Sequence, residues 1–418
     1  MQQPSTPSSH GAGHHPTILT TTYSVFHIIM RTFGTYPNYN KRTRPLAYLT
    51  LLTVLLIFLL FLAQLTFMFL QAIVHQPIIT VLEIHVISHS SFVLATILGM
   101  VIFTLRSKRL QCITSAIAQP DSSLDKTDQF LLKLCCHFTG SFLFHILGQF
   151  ATVLTVKVTA IYSLSDSFFG LQVPAALLSS GMIIILTLAI AIRATHLGIT
   201  ALSCGILGIR FRRLTLSLKH HRDGKFTQSL DDHLKQHYYL SHLVHELDEV
   251  LAPSSLIFLA SDIVVVTTLI SYFISESVIE APLGLFVTQG LPDRVTYIMY
   301  GIGAVGMLVT RVTASAFLND QAQSIVPELY EILHMQGSQD SNLRMEKSVN
   351  VTLQRLRDIP VGLTGWDLFV LNKNFILTVL GLLATYLVVV VDISSKNECS
   401  LEYINVLSHP RANTTVGF

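Results

Sequence analysis

The chain has 418 residues, half of them hydrophobic and only 12% charged, with a formal net charge of +2. A mean hydropathy of +0.55 and so little charge, against about a quarter in ordinary soluble domains, exclude a soluble globular fold and point to a polytopic membrane protein. The near-neutral balance offers nothing to nucleic acid, and the five cysteines, Cys112, Cys135, Cys136, Cys204 and Cys399, show no metal-type spacing.

Residues 1–45 are rich in Ser, Thr, His and Pro and read as a flexible segment without a signal peptide. A bilayer core needs about 20 mainly apolar residues per helix. Seven stretches supply them: 46–72, 78–105, 130–156, 171–204, 248–275, 294–318 and 367–394. The fourth is expected to run past the membrane as a continuous helix. The polar pieces between spans, 205–247 and 319–366, alternate charged and apolar residues at helical spacing and read as amphipathic helices. His233, His237, His242 and His245 fall in the first of them, with no accompanying cysteines or acids at ligand spacing, so no metal site is assigned.

Lysine and arginine set the direction. The N-terminal segment and the even-numbered loops hold 23 of them, and the other side holds Lys157, Arg294, Lys396 and Arg411. The N-terminus is therefore expected to be cytoplasmic and the C-terminus, after seven spans, extracellular. That is the reverse of G-protein-coupled receptors, and neither an Asp-Arg-Tyr ending the third span nor an Asn-Pro-x-x-Tyr in the seventh is present.

On the last span, Thr378, Leu382, Thr385, Val389, Asp392 and Lys396 follow 4-3-4-3-4 spacing and share one helix face. A polar stripe on an apolar membrane helix is costly against lipid, roughly 2.5–3.5 kcal/mol for a charge near the centre. Two readings stand: the threonines pack on a neighbouring helix with Asp392 at headgroup level, or the stripe lines an aqueous pore made by several copies of the helix.

The stretch "TYLVVVVDI", Thr385 to Ile393, resembles the C-terminal signature of arthropod gustatory receptors, Thr-Tyr, five hydrophobic residues, then Gln-Phe. The preceding "IPVGLTGWDLFVLNKNFILTVLGLLATY" is similar to the same family. The resemblance implies an all-α membrane protein with seven transmembrane helices, a multi-pass protein of the plasma membrane and a homotetramer with a central pore from the last helix. It implies a ligand-gated, non-selective cation channel for sodium, potassium and calcium ions, opened by a small-molecule tastant. In that scheme residues 46–318 form a six-helix ligand-binding bundle with cytoplasmic extensions at 205–247. Residues 319–366 are anchor helices, 367–395 the pore-lining helix and 396–418 an extracellular tail. Thr385, Val389, Asp392 and Ile393 carry pore and gate, with Val389 a hydrophobic ring. Asp392 stands where the motif has glutamine and Ile393 where it has phenylalanine, and four Asp392 side chains would form an acidic ring favouring cations. Sugar-receptor branches carry a glutamate directly after the Thr-Tyr pair. Here that residue is Leu387, which leaves fructose-type, bitter-type and unassigned receptors open.

Ionisable and polar residues inside membrane spans are candidates for binding. Glu83, His85, His89, Gln149, Asp262, Tyr272, Tyr297 and Tyr300 are the candidates to contact the ligand, each against the alternative of a helix–helix hydrogen bond worth about 0.6 kcal/mol. No phosphate-binding glycine loop, nucleophile elbow or paired catalytic carboxylates appear, so no enzyme and no cofactor are expected. A transporter would show repeats and broken helices, of which "GIGAVG" (Gly301–Gly306) is the one hint. A partner-coupled receptor without its own pore is the remaining alternative.

Overall fold

The computed structural model describes residues 18–32, 44–75, 81–118, 167–168, 171–172, 175–222, 230–278, 291–336, 343–358 and 361–408. The described residues form helices α1 (Ile18–Thr32), α2 (Arg44–His75), α3 (Val81–Ala118), α4 (Ala175–Arg222), α5 (Leu230–Val278) and α6 (Leu291–Gln323). Short helices α7 (Ile325–Gln336) and α8 (Leu343–Asp358) follow, and α9 (Lys373–Ser408) ends the order. A two-residue antiparallel pair, β1 (Ser167–Phe168) and β2 (Leu171–Gln172), precedes α4. Thus 171–172, the expected start of the fourth span, is strand, and the helix starts at Ala175. The expected third span, 130–156, lies outside the described residues.

Four described stretches are long and apolar enough to cross a bilayer: Ser90–Ala118, Thr187–His220, Leu230–Ser271 and Gly301–His334. Helices α4 and α5 have 48 and 49 residues, so at 1.5 Å per residue each is about 70 Å long, more than twice an apolar bilayer core. Both therefore leave the apolar slab as unbroken helix. Residues 205–222 and 230–247, expected as separate amphipathic pieces, are extensions of α4 and α5. Pro253 lies inside α5 without ending it. It lacks the N–H that would bond back to the Glu249 carbonyl, at the point where α5 turns from polar to apolar. Helix α6 runs unbroken through Gly301–Gly306, so the hint of a broken span fails.

The extensions build a polar end of the bundle with its own core. Leu214 and Leu218 of α4, Leu234, Leu240 and Val244 of α5, Ile325 and Leu329 of α7 and Leu353 and Leu356 of α8 are all buried there. Much of the apolar surface of these amphipathic helices is thus buried within one chain, while Leu216, Tyr238, Tyr239, Tyr330 and Val351 remain exposed. Helix α1 joins them: Tyr23 and Phe26 are buried, and the Tyr23 hydroxyl lies 2.8 Å from Ser203 Oγ. The expectation of a flexible segment at 1–45 is corrected at Ile18–Thr32, which form a packed helix.

Three of the four histidines are engaged separately. His233 Nε2 is 2.9 Å from Ser217 Oγ, and His237 Nε2 is 3.1 Å from the Ala322 carbonyl. His245 is 3.3 Å from Glu249.

A charged belt marks where the apolar part of the bundle ends. Arg109 reaches Glu246 at 3.0 Å and Glu249 at 2.5 Å, and Lys373 reaches Asp320 at 2.5 Å. These residues, with Asp248, stand near the ends of the spans read from the sequence at 78–105, 248–275, 294–318 and 367–394.

Candidate functional site: last helix and buried charge cluster

Helix α9 begins with a cap: Asn372 Oδ1 accepts the Phe375 N–H at 3.0 Å, satisfying one of the first-turn donors. Its bundle-facing side is Phe375, Ile376, Val379 and Leu383, packed on the core. Further along, the Tyr386 hydroxyl lies 2.5 Å from Ser271 Oγ on α5. The other side is bare. Thr378, Leu382, Thr385, Val389 and Asp392, the stripe read from the sequence, are all exposed in the single chain. A side chain added at Gly381 would meet nothing within 4 Å. Thr378 and Thr385 donate to their own helix, to the Asn374 carbonyl at 3.0 Å and the Gly381 carbonyl at 2.9 Å, so neither hydroxyl needs a neighbouring helix. Ile393 is on α9, and its side chain is outside the described ones.

The foot of α9 is held by a tight hairpin spanning residues 361–372. Thr364 bridges Val370 in antiparallel fashion, and the Leu371 N–H donates to the Leu363 carbonyl at 2.9 Å. Its turn, Gly365-Trp366-Asp367-Leu368, is closed by the Leu368 N–H on the Gly365 carbonyl at 3.1 Å. Trp366 and Asp367 both have positive φ, 52° and 60°, which is the pattern of a type I′ turn. Only glycine fits at position 365, because a Cβ there would sit 2.4 Å from the Phe369 ring. That ring is stacked on Phe375 at 4.6 Å.

The hairpin is clamped to the bundle by side chains. Asp248 of α5 accepts from the Thr364 N–H and hydroxyl, both at 2.7 Å, and the Thr364 Oγ1 in turn accepts the Asp367 N–H at 3.0 Å. Asn319 of α6 donates to the Val361 carbonyl at 3.1 Å.

A second constellation lies inside the bundle. Arg193 of α4, Asp262 of α5 and Arg311 of α6 are fully enclosed. Arg193 Nη2 is paired with Asp262 Oδ1 and donates to the Phe258 carbonyl at 3.1 Å, while Nη1 donates to Ser261 Oγ at 3.1 Å. Its guanidinium also stands 4.1 Å over the Phe92 ring. Arg311 is held more loosely: Nη2 is 3.6 Å from Asp262 Oδ2, and Nη1 is 3.3 Å from His196 Nδ1.

An arginine only donates, so His196 Nδ1 accepts and its Nε2–H donates to Ser254 Oγ at 2.8 Å. The ring sits edge-on between Phe103 and Phe258, both at 4.9 Å. Gly99 lets Phe258 approach, since a Cβ there would lie 2.2 Å from that ring. Two cations and one anion share a dry interior, an arrangement whose desolvation cost only good geometry offsets.

Asp262 was expected to contact ligand. The structure places it in this cluster instead, 1% exposed and committed to two guanidiniums. Arg193 and Arg311 were among the 23 basic residues ascribed to loops and termini. They are buried between helices, which leaves 21 against four and the same direction. Glu83, His85 and His89 lie on α3, Tyr272 on α5, and Tyr297 and Tyr300 on α6. All six are toward the end of the bundle opposite the charged belt, with side chains outside the described ones. Gln149 lies outside the described residues altogether.

Comparison with known proteins agrees with this architecture. A family model described as "Trehalose receptor" matches residues 178–402. The structure of the insect olfactory receptor OR5 from Machilis hrabei superposes with a TM-score of 0.67 at 12% identity, covering 90% of this chain and 98% of that one. The same receptor in complex with eugenol gives 0.67 at 11% identity, covering 90% and 97%. No curated protein matches in sequence. At these identities the structural likeness establishes the fold.

Proposed function

The chain belongs to the trehalose receptor family of insect gustatory receptors, within the insect chemoreceptor superfamily, and from that premise we propose that it is a ligand-gated, non-selective cation channel opened by a small-molecule tastant. The observation that carries this reading is the exposed polar stripe of α9. A lone chain leaves Thr385, Val389 and Asp392 exposed on one helix face while the opposite face is packed on α5 and α6. In a homotetramer the stripe faces a shared axis. Val389 then forms an apolar ring able to close by dewetting, with Ile393 beyond it. Asp392 forms an acidic ring that favours sodium, potassium and calcium ions over anions. The polar end of the bundle is cytoplasmic in this reading, in keeping with the basic residues gathered there, and the membrane is the plasma membrane.

The tastant enters from the opposite end, among Glu83, His85, His89, Tyr272, Tyr297 and Tyr300, with Gln149. The description of the matching family favours a sugar of the trehalose type, and eugenol in the OR5 structure illustrates a small-molecule ligand on this fold. Leu387 in the place of a glutamate speaks against the sugar-receptor branch and leaves fructose-type, bitter-type and unassigned receptors open, so sugars and bitter compounds both belong in the first panel.

The test is whole-cell recording from cells lacking such receptors, with trehalose, other sugars and bitter compounds. Asp392→Asn and Asp392→Lys are expected to move the reversal potential progressively away from cation selectivity. A ligand-evoked current indifferent to the charge at 392 removes Asp392 from the pore. Surface expression without current under any ligand overturns the channel reading.

A further inference from the structure

The hairpin at the foot of α9 carries an exposed tip, and neither the pore nor the ligand end uses it. Trp366 is 56% exposed and Leu368 is 74% exposed, on either side of Asp367. Their exposure is built in. The type I′ turn fixes both sides of the tip, Thr364 is tied to Asp248, and Gly365 backs on to Phe369. Two large apolar side chains on a rigid turn, presented outward, need an apolar partner.

The height of the tip says which partner. Its clamps are Asp248 on α5 and Asn319 on α6, and α9 leaves it at Lys373, paired with Asp320. Those residues lie at the plane where the apolar stretches of α5, α6 and α9 give way to polar helix, the plane also occupied by Arg109 with Glu246 and Glu249. An indole has an apolar body and one N–H donor, and it is the side chain most at home at the boundary between acyl chains and headgroups. Leu368 beside it suits the acyl region, and Asp367 suits water. Two side chains are also far short of the ~800 Å² per partner of a stable protein interface.

We propose that the Trp366–Leu368 tip inserts into the interface of the leaflet at which α9 enters the membrane, pinning the foot of that helix to phospholipid. This rests on the chain being embedded in a bilayer and not on its conducting ions, so a failed channel assay leaves it standing.

Trp366 is the only tryptophan in the chain, so tryptophan emission reports this position without any substitution. The full-length protein is reconstituted into phosphatidylcholine vesicles, ordinary or brominated near the carbonyl end of the acyl chain. An interfacial indole should lose emission in the lipid brominated near the carbonyl end, and less when the bromines sit near the chain terminus. Unchanged emission in brominated lipid overturns the proposal, and acrylamide in the aqueous phase then identifies what lies against the tip. Quenching by acrylamide means the tip stands in water. Protection from both quenchers, with blue-shifted emission, means another copy of the chain covers it.

Discussion

The two buried arginines differ in how much the fold depends on them, and the difference can be measured. Arg193 makes an ion pair, two further hydrogen bonds and a close ring contact, whereas Arg311 reaches Asp262 only at 3.6 Å. At that separation the Coulomb attraction is about 5 kcal/mol for an effective dielectric constant near 20. The repulsion between the two guanidiniums and the cost of burying a second cation work against it. Removing Arg311 takes the cluster from one net positive charge to zero and leaves the tight Arg193–Asp262 pair intact. Arg311→Met is therefore expected within about 1 kcal/mol of wild type, since replacing buried charge by apolar volume is often neutral. Arg193→Met instead leaves the Asp262 carboxylate with one weak partner and should cost about 3–5 kcal/mol. Asp262→Ala leaves two uncompensated cations and should cost at least as much. For a chain this long each kcal/mol is worth roughly 1 °C, so melting of the purified receptor, followed by size-exclusion after heating, resolves the order. Equal losses for Arg311→Met and Arg193→Met, or no loss for Asp262→Ala, would refute the reasoning.

Three further substitutions probe the coupling of α9. Gly365→Ala drives a methyl to within 2.4 Å of the Phe369 ring, and overpacking of this kind costs about 1–3 kcal/mol; a melting temperature equal to wild type means that the ring yields freely. Tyr386→Phe removes the hydroxyl bonded to Ser271, a loss of about 0.5–1.5 kcal/mol. Ligand should then act at concentrations roughly two- to tenfold lower, with more current in its absence. Ser271→Ala should do the same, and the double variant should add nothing to either single one; additive shifts would mean the two groups act separately.

Much of the fold could be read in the chain, because hydropathy reports where a helix must be dry and spacing reports which residues share a face. The stripe Thr378, Leu382, Thr385, Val389 and Asp392 is on one exposed face, as its 4-3-4-3 spacing requires. What hydropathy does not report is where a helix stops. It divides α5 at about position 248, where burial changes, although the backbone hydrogen bonding runs from Leu230 to Val278. It also assigns a charge to whatever stretch surrounds it. Arg193 and Arg311 look like loop cations because their shared partner, Asp262, is 69 and 49 residues away. Two of the missed signals were local. Arg193 sits between the apolar runs "LTLAIAI" and "ATHLGITALSCGIL", and Arg311 follows "GMLVT" directly. The hairpin escaped for another reason: its positive-φ residues are tryptophan and aspartate, not the Asn-Gly or Asp-Gly that usually announce a type I′ turn.

These contacts together define how α9 is attached. At its foot it is closed by its own cap and held to the bundle by an ion pair to α6 and by a hairpin clamped to α5. Thirteen residues on, about 20 Å along the axis, the Tyr386 hydroxyl makes a second attachment to α5. Between them the contacts are apolar, through Val379 and Leu383 on one side only. A helix clamped at its foot and tied again by the Tyr386 hydroxyl further along moves most easily by pivoting about its foot. Val389 and Asp392 lie beyond the second attachment, so the pivot carries them furthest. In the proposed channel, a displacement of α5 relative to α6 at the proposed ligand end would therefore be resisted at Lys373 and felt most at Val389 and Asp392.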